Sequence, residues 1–282
     1  MIYDPKTNIV FWDELLKIPE FKALSETPQN ILWHKEGNAF THTYMVTKCM
    51  LKYIENSNEV LFQDMDYRNI LVFAALLHDI GKPVTTKKGE DGLYHCKDHA
   101  IKVVPIAEHI LDTYISDIKP QYKRAILSLV RCHMQPLYIL KQRDIKLAIL
   151  RLANNLECID FETLLLLKKC DYEGSIPESD DHHEETLRSV RELYYEVCSY
   201  PAQTKVWIEK LKDTGTCNYK PGHHPNGINK GYLTQGYLSL PITVGFRACL
   251  GFHFSTSPVT KIVDKNHFHT QNSVYKIIEV KE

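Results

Sequence analysis

No apolar run in the sequence approaches the length of a membrane span, so a spanning helix is not expected. Paired cysteines are missing too: the eight present, at 49, 96, 132, 158, 170, 198, 217 and 249, stand singly with no C-x-x-C. That scatter supplies no clustered thiolates for a structural zinc and no disulfide framework, and the residues read as small core side chains or free thiols. Charge of one sign is also missing. With a net charge of −1 over 282 residues the chain has no global pull on nucleic acid or anionic membrane, and such partners must be met by local patches. There is no internal repeat and no low-complexity tract. The opening stretch MIYDPKTNIVFWDELLKIPE carries acidic residues and no basic-then-apolar signal pattern, so a cytoplasmic protein is expected.

What is present is ample apolar material, 44% of residues, enough for the core of one or two folded domains. Up to about residue 198 the apolar spacing is helical, over 38–55, 68–79, 98–116, 121–133, 144–155, 160–172 and 184–198. Breaks fall at Pro83 with Gly89 and Gly92, at Pro120, at Pro136, and at Gly174 with Pro177. After Pro201 the texture changes. A further short helix is expected at 202–212, followed by short β-branched and aromatic runs separated by Gly, Pro, Asn and Asp, which read as strands and turns. The segment PGHHPNGINKG, 221–231, is expected to be a loop. The predicted fold is therefore mainly α, a helical domain over 1–201 followed by a small β-rich domain over 202–282.

One stretch of the helical region is chemically unusual. FAALLHDIGKPVTT, residues 73–86, sets His78 and Asp79 side by side where Gly81 and Pro83 end an apolar helix. Adjacent helical positions point about 100° apart, so both can reach one ion only at a helix end. A carboxylate at the end of such a helix is costly to bury unpaired, and a bound cation offsets that cost. Taken alone, the pair reads equally as a terminal histidine beside a solvated aspartate. The neighbouring helices shift the balance. His42 lies early in NAFTHTYMVTKCMLKYI, His99 opens a helix, His133 closes AILSLVRCHMQP, and Asp171 closes ETLLLLKKCDYEG. Each is a ligand-type residue near the end of an apolar helix, the way bundles assemble core metal sites, and imidazole with carboxylate suits a divalent transition metal.

The ordered set His42, His78-Asp79 and Asp171, with LLHDIGK at its centre, resembles the HD superfamily of metal-dependent phosphohydrolases over about residues 30–175. WHKEGNAFTHTYMV, LLHDIGKPVTT, YHCKDHAIKV and LLLLKKCDYEG are similar to the HD domain appended to bacterial CCA-adding tRNA nucleotidyltransferases, whose nucleotidyltransferase head this chain lacks. The resemblance implies an HD-type helical bundle in which His42, His78, Asp79 and Asp171 ligate one ion. It implies that His99 and His133, with Asp79 bridging, hold a second ion, or else that His99 or His133 protonates the leaving oxygen. It further implies that Lys82 contacts phosphate, so that Asp79, Lys82, His99 and His133 are the catalytic set. The cofactor would be one or two divalent ions, Mn, Fe, Ni, Co, Zn or Mg, activating water for in-line attack on phosphorus.

Other polar residues are read as structural. His34 and Glu36 are expected in a solvated loop, with substrate contact as the alternative, and His109 on a helix surface. His182 and His183 are expected in a solvated acidic loop, and Lys168 and Lys169 as surface charge. His223, His224, His253, His267 and His269 match no ligand spacing. Residues 119–151 carry Lys119, Lys123, Arg124, Arg131, Lys141, Arg143, Lys146 and Arg151 against Asp144 alone. This is either a patch for the phosphates of a nucleotide or RNA end, or a solvated face offset by the acidic stretch after it. The expected activity is hydrolysis of a 2′,3′-cyclic phosphodiester or a terminal phosphomonoester on a nucleotide or RNA end. Alternatives are hydrolysis of a signalling nucleotide such as guanosine tetraphosphate, or of a dNTP, and a non-catalytic nucleotide-binding module.

Overall fold

The structure, a computed structural model, describes residues 1–115, 118–177, 182–198, 205–214, 228–238, 242, 244–245, 247–250 and 254–279. His223, His224, His253 and most of the 221–231 segment lie outside the described residues. The chain forms two compact units, Met1–Lys141 with Glu162–Val190, and Gln142–Phe161 with Arg191–Glu282.

The first unit is helical. A short hairpin of β1 (Tyr3–Asp4) and β2 (Ile9–Val10) precedes α1 (Trp12–Leu15) and α2 (Pro19–Ser25). Then come α3 (Ala39–Asn56), α4 (Met65–Leu77), the one-turn α5 (Lys82–Thr85) and a two-residue-per-strand hairpin, β3 (Lys87–Lys88) with β4 (Tyr94–His95). Next are α6 (His99–Tyr114), α7 (Pro120–Cys132) and α8 (Gln135–Ile139); α10 (Phe161–Glu173) and the start of α11 (His183–Cys198) complete the unit.

Local chemistry sets the helix starts. Asn38 and Asp64 cap α3 and α4 by accepting hydrogen bonds from Thr41 N (2.8 Å) and Tyr67 N (2.9 Å), and α2 and α7 begin with proline, whose missing N–H is no loss in a first turn. From Ile70 to Leu77 every residue of α4 is buried, so this part of the helix has no solvent face, and α4 packs against both α3 and α7. Its C-terminal end, carrying His78 and Asp79, therefore finishes inside the unit. Gly81 lets the turn after it lie against α6, because a Cβ there would stand 2.7 Å from the His99 carbonyl oxygen and 2.8 Å from Val103 N. Gly174 does the same after α10, where a Cβ would meet Val46 N at 2.6 Å.

The second unit is built on an antiparallel sheet in the order β6-β5-β10-β9-β8-β7. Its strands are β5 (Lys205–Asp213), β6 (Leu233–Tyr237), β7 (Arg247–Leu250), β8 (Phe254–Asp264), β9 (His267–Thr270) and β10 (Ser273–Glu279). A bridge between Leu238 and Leu250 joins the two edges, so the sheet curls round a core that includes Val206, Ile208, Phe254, Phe268, Tyr275 and Ile277. The helix α9 (Ile145–Asn155) belongs to this unit, and Asn154 Oδ1 accepts a hydrogen bond from Arg247 N at 3.2 Å.

The mainly α fold with a β-rich C-terminal region is as expected, with one correction. The segment expected as a short helix at 202–212 is, where described, the strand β5. Val206, Ile208 and Lys210 are buried and alternate with more exposed neighbours, a period of two that wins once β10 pairs alongside. Among the described residues no helix is long and apolar enough to cross a membrane. Cys49, Cys96, Cys132, Cys158 and Cys170 are free thiols.

Candidate metal centre

Four helix ends bring four imidazoles together. His42 lies in the first turn of α3, His78 caps the C-terminus of α4, His99 opens α6 and His133 caps the C-terminus of α7; all four are buried. In each, Nδ1 faces a backbone carbonyl: Gly174 at 3.2 Å for His42, Ala75 at 2.8 Å for His78, Cys96 at 2.8 Å for His99 and Val130 at 2.6 Å for His133. A proton placed on Nδ1 to satisfy each carbonyl leaves Nε2 as a lone pair, which is how a protein orients metal-binding histidines. The Nε2 atoms then converge in pairs, His42 with His78 at 3.4 Å and His99 with His133 at 3.2 Å.

Two buried carboxylates complete the cluster. Asp171 Oδ1 lies 2.9 Å from His42 Nε2 and 3.7 Å from His78 Nε2. Asp79 sits between the histidine pairs, its Oδ2 at 3.2 Å from His78 Nε2 and its Oδ1 at 3.4 Å from His99 Nε2 and 3.9 Å from His133 Nε2. Asp79 Oδ1 is fully buried and has no hydrogen-bond partner among the described residues. Lone pairs facing lone pairs, around an orphaned carboxylate oxygen, call for a cation at the centre. The donors separate into two sets, His42, His78 and Asp171, and Asp79, His99 and His133, each within 4.8 Å. Nitrogen and carboxylate oxygen without thiolate fit one or two divalent transition-metal ions.

The electrostatics of the His99–His133 pair agree. Burial, with the neighbouring His99 and His78, pushes the His133 imidazole well below its usual range, and burial also lowers His99, so both are neutral as ligands must be. Burial acts downward on His42 as well, but hydrogen bonds to Asp171 and Glu36 outweigh it and raise its pKa to about 9. Burial would raise Asp79 and Asp171, yet Lys82 beside the first and Lys168 beside the second hold both well below the usual carboxylate range.

Residues 39–158 match the family described as the HD domain, a span that contains His42, His78, Asp79, His99 and His133 and ends before Asp171. The chain carries an HD domain. It is 38% identical over 74 residues, 26% of its length, to the dihydroneopterin 2′,3′-cyclic phosphate phosphodiesterase of Methanocaldococcus jannaschii, and spans 29% of that relative. No solved structure matches it.

Around the HD cluster opens a cavity of about 990 Å³, lined among others by Asp79, Lys82, His99, Asp171, Trp33 and Tyr138. Lys82 is buried, with Nζ 2.7 Å from Asp79 Oδ2 and bonded to Gln29 Oε1. His34 also lines the cavity, but Glu36 is no solvated loop residue: its side chain is 1% exposed. Its Oε1 lies 2.7 Å from His34 Nδ1 and 3.0 Å from His42 Nδ1, while Oε2 accepts from Ile176 N at 3.0 Å. Lys168 is likewise not surface charge. It is buried in the cavity wall with Nζ 2.6 Å from Asp171 Oδ2. His183 is not in a solvated loop either; it begins α11, is buried, and stacks on Tyr172 at 4.1 Å between ring centres. The burial of all three comes from other segments folding over them, which local sequence does not announce.

His109, His182 and Lys169 lie where expected. His109 and His182 are exposed, and Lys169 lies 3.7 Å from Glu173 at the surface. His267 pairs with Asp264, and neither it nor His269 joins a metal-type cluster among the described residues. The basic stretch divides. Lys119 is paired with Asp66, and Lys123 with Glu108 and Asp112, whereas Arg131 and Lys141 line the cavity. Arg143, Lys146 and Arg151 fall in the other unit.

Proposed function

We propose that this chain is a metal-dependent phosphohydrolase of the HD type, acting on a 2′,3′-cyclic phosphodiester or a terminal phosphomonoester of a nucleotide or RNA end. The observation that carries the reading is the convergence of two pairs of buried Nε2 atoms and two carboxylates, with Asp79 reaching both pairs and its Oδ1 without a hydrogen-bond partner among the described residues. In this reading His42, His78, Asp79 and Asp171 hold one ion, and His99 and His133 with Asp79 hold a second. When bound, such ions polarise phosphoryl oxygens and lower the pKa of water, the two requirements for hydrolysing a phosphoester at neutral pH.

The chain's own groups do the rest. Asp79 uses Oδ1 toward one histidine pair and Oδ2 toward the other, so it alone can join the two halves. Lys82, held between Asp79 and Gln29, presents an ammonium group to a phosphate oxygen from the cavity wall. Trp33 and Tyr138, both half exposed in that wall, offer ring faces to a planar heterocycle. The partial relative is named for a 2′,3′-cyclic phosphate, which supports the cyclic diester as the first substrate to test. Arg131 and Lys141 at the cavity support an RNA end as the larger form of the same group.

The test is a panel of 2′,3′-cyclic nucleotides, RNAs with cyclic or monoester termini, dNTPs and guanosine tetraphosphate, assayed with Mn, Co or Ni. Turnover confined to the cyclic and terminal phosphates is the expected result. Cleavage of a dNTP or a signalling nucleotide alone would move the substrate, and no cleavage under any metal would leave a binding module.

A further inference from the structure

The two carboxylates of the cluster are each gripped by a lysine three residues away on the same stretch of chain. Lys82 reaches Asp79 Oδ2 at 2.7 Å, and Lys168 reaches Asp171 Oδ2 at 2.6 Å. Asp171 turns its other oxygen, Oδ1, toward His42 Nε2, whereas Asp79 shares Oδ2 between Lys82 and His78 Nε2 and turns Oδ1 toward His99 Nε2. Both lysines are buried, at 4% and 5% exposure, and both line the cavity. Burying an ammonium group in a wall that one carboxylate neutralises is costly, and a residue with no further task there is readily replaced by an apolar one. Lysine has three N–H donors. Lys168 directs one to Asp171 and one to Met134 Sδ at 3.8 Å, which leaves a third at the cavity surface.

We propose that Lys168 forms, with Lys82 on the other side of the cluster, a binding subsite for a tetrahedral oxyanion. Lys168 donates to one non-bridging oxygen of the phosphoryl group while Lys82 donates to another. The inference deepens the phosphohydrolase reading and rests on it for the identity of the substrate, but the subsite is defined by binding and can be tested without turnover.

Inorganic phosphate is the probe, titrated calorimetrically into full-length protein saturated with Mn, with bound metal measured in every sample. Lys168→Met, apolar and of similar length, is expected to keep its metal and to bind phosphate roughly 10- to 100-fold more weakly, the range of one charge-assisted hydrogen bond. Lys168→Arg, which retains the charge and a spare donor, is expected to recover most of that affinity, and phosphate should inhibit the two variants in the same order. Unchanged phosphate affinity in metal-saturated Lys168→Met would overturn the proposal and leave Lys168 as a residue that only positions Asp171. Equal loss in Lys168→Met and Lys168→Arg at full metal occupancy would also overturn it. If the wild-type protein binds phosphate through Lys168 yet hydrolyses no phosphoester, the subsite stands and the phosphohydrolase reading fails.

Discussion

At the scale of single residues, the ligand-type side chains were legible because each stands alone among apolar neighbours, and a charge in such a place needs a reason. Glu36 was not legible. Nothing in WHKEGN distinguishes it from a solvated loop acid, and its role appears only when the loop closes over His42 and Oε1 meets the Nδ1 atoms of His34 and His42. A carboxylate behind a ligating imidazole fixes its tautomer and raises its basicity, and removing such a partner typically costs about 10- to 100-fold in metal affinity. Glu36→Gln should lose that much, measured by competition with a chelator, because its single amide group must turn an NH2 toward either the two imidazoles or Ile176 N, each of which already donates. Asp79→Ala should go further and lose metal and turnover together. Full metal content in that variant would remove Asp79 from the cluster's centre.

At the scale of elements, the long helices were readable to within a few residues, since a period of 3.6 sustained over three or four turns has no competitor; 38–55 became Ala39–Asn56 and 184–198 became His183–Cys198. The one-turn helices α1, α5 and α8 escaped because four or five residues carry no period. The strand β5 was misread because its short apolar pattern fits either period until β10 lies beside it. What positions the cluster is the way helix ends are fixed, and two variants separate the local from the tertiary part. Asn38→Ala removes the cap of the helix that carries His42 and should lower unfolding free energy in urea by about 1 kcal/mol while leaving metal content unchanged. Gly174→Ala places a methyl group 2.6 Å from Val46 N, so α10 and α3 must part. About 1–3 kcal/mol of stability should be lost, and because the Gly174 carbonyl receives His42 Nδ1, metal affinity should fall with it. A Gly174→Ala protein with wild-type metal affinity would show that the carbonyl contact does not orient His42.

At the scale of the whole molecule, the change of texture after Pro201 announced two kinds of structure, but not how the chain shares its residues between them, since that depends on contacts far apart in sequence. Every proposed ligand and the whole cavity wall come from Met1–Lys141 and Glu162–Val190, while the sheet and its aromatic core come from the other unit. Each unit has its own core, so we propose that they unfold as separate cooperative transitions, and metal and core mutation provide independent handles on them. A ligand that binds only the folded state stabilises whatever it binds by RT ln(1 + [L]/Kd), about 2.7 kcal/mol at a hundredfold excess over Kd. Adding Mn should therefore raise one calorimetric transition and leave the other in place. Phe268 is buried in the sheet core against Tyr275, at 5.4 Å between ring centres, and Phe268→Ala should cost about 3–5 kcal/mol. That loss should fall on the transition that Mn does not move. A single transition that rises with Mn and falls with Phe268→Ala would mean that the histidine cluster and the sheet unfold as one cooperative unit, and the metal would then stabilise the C-terminal strands it does not touch.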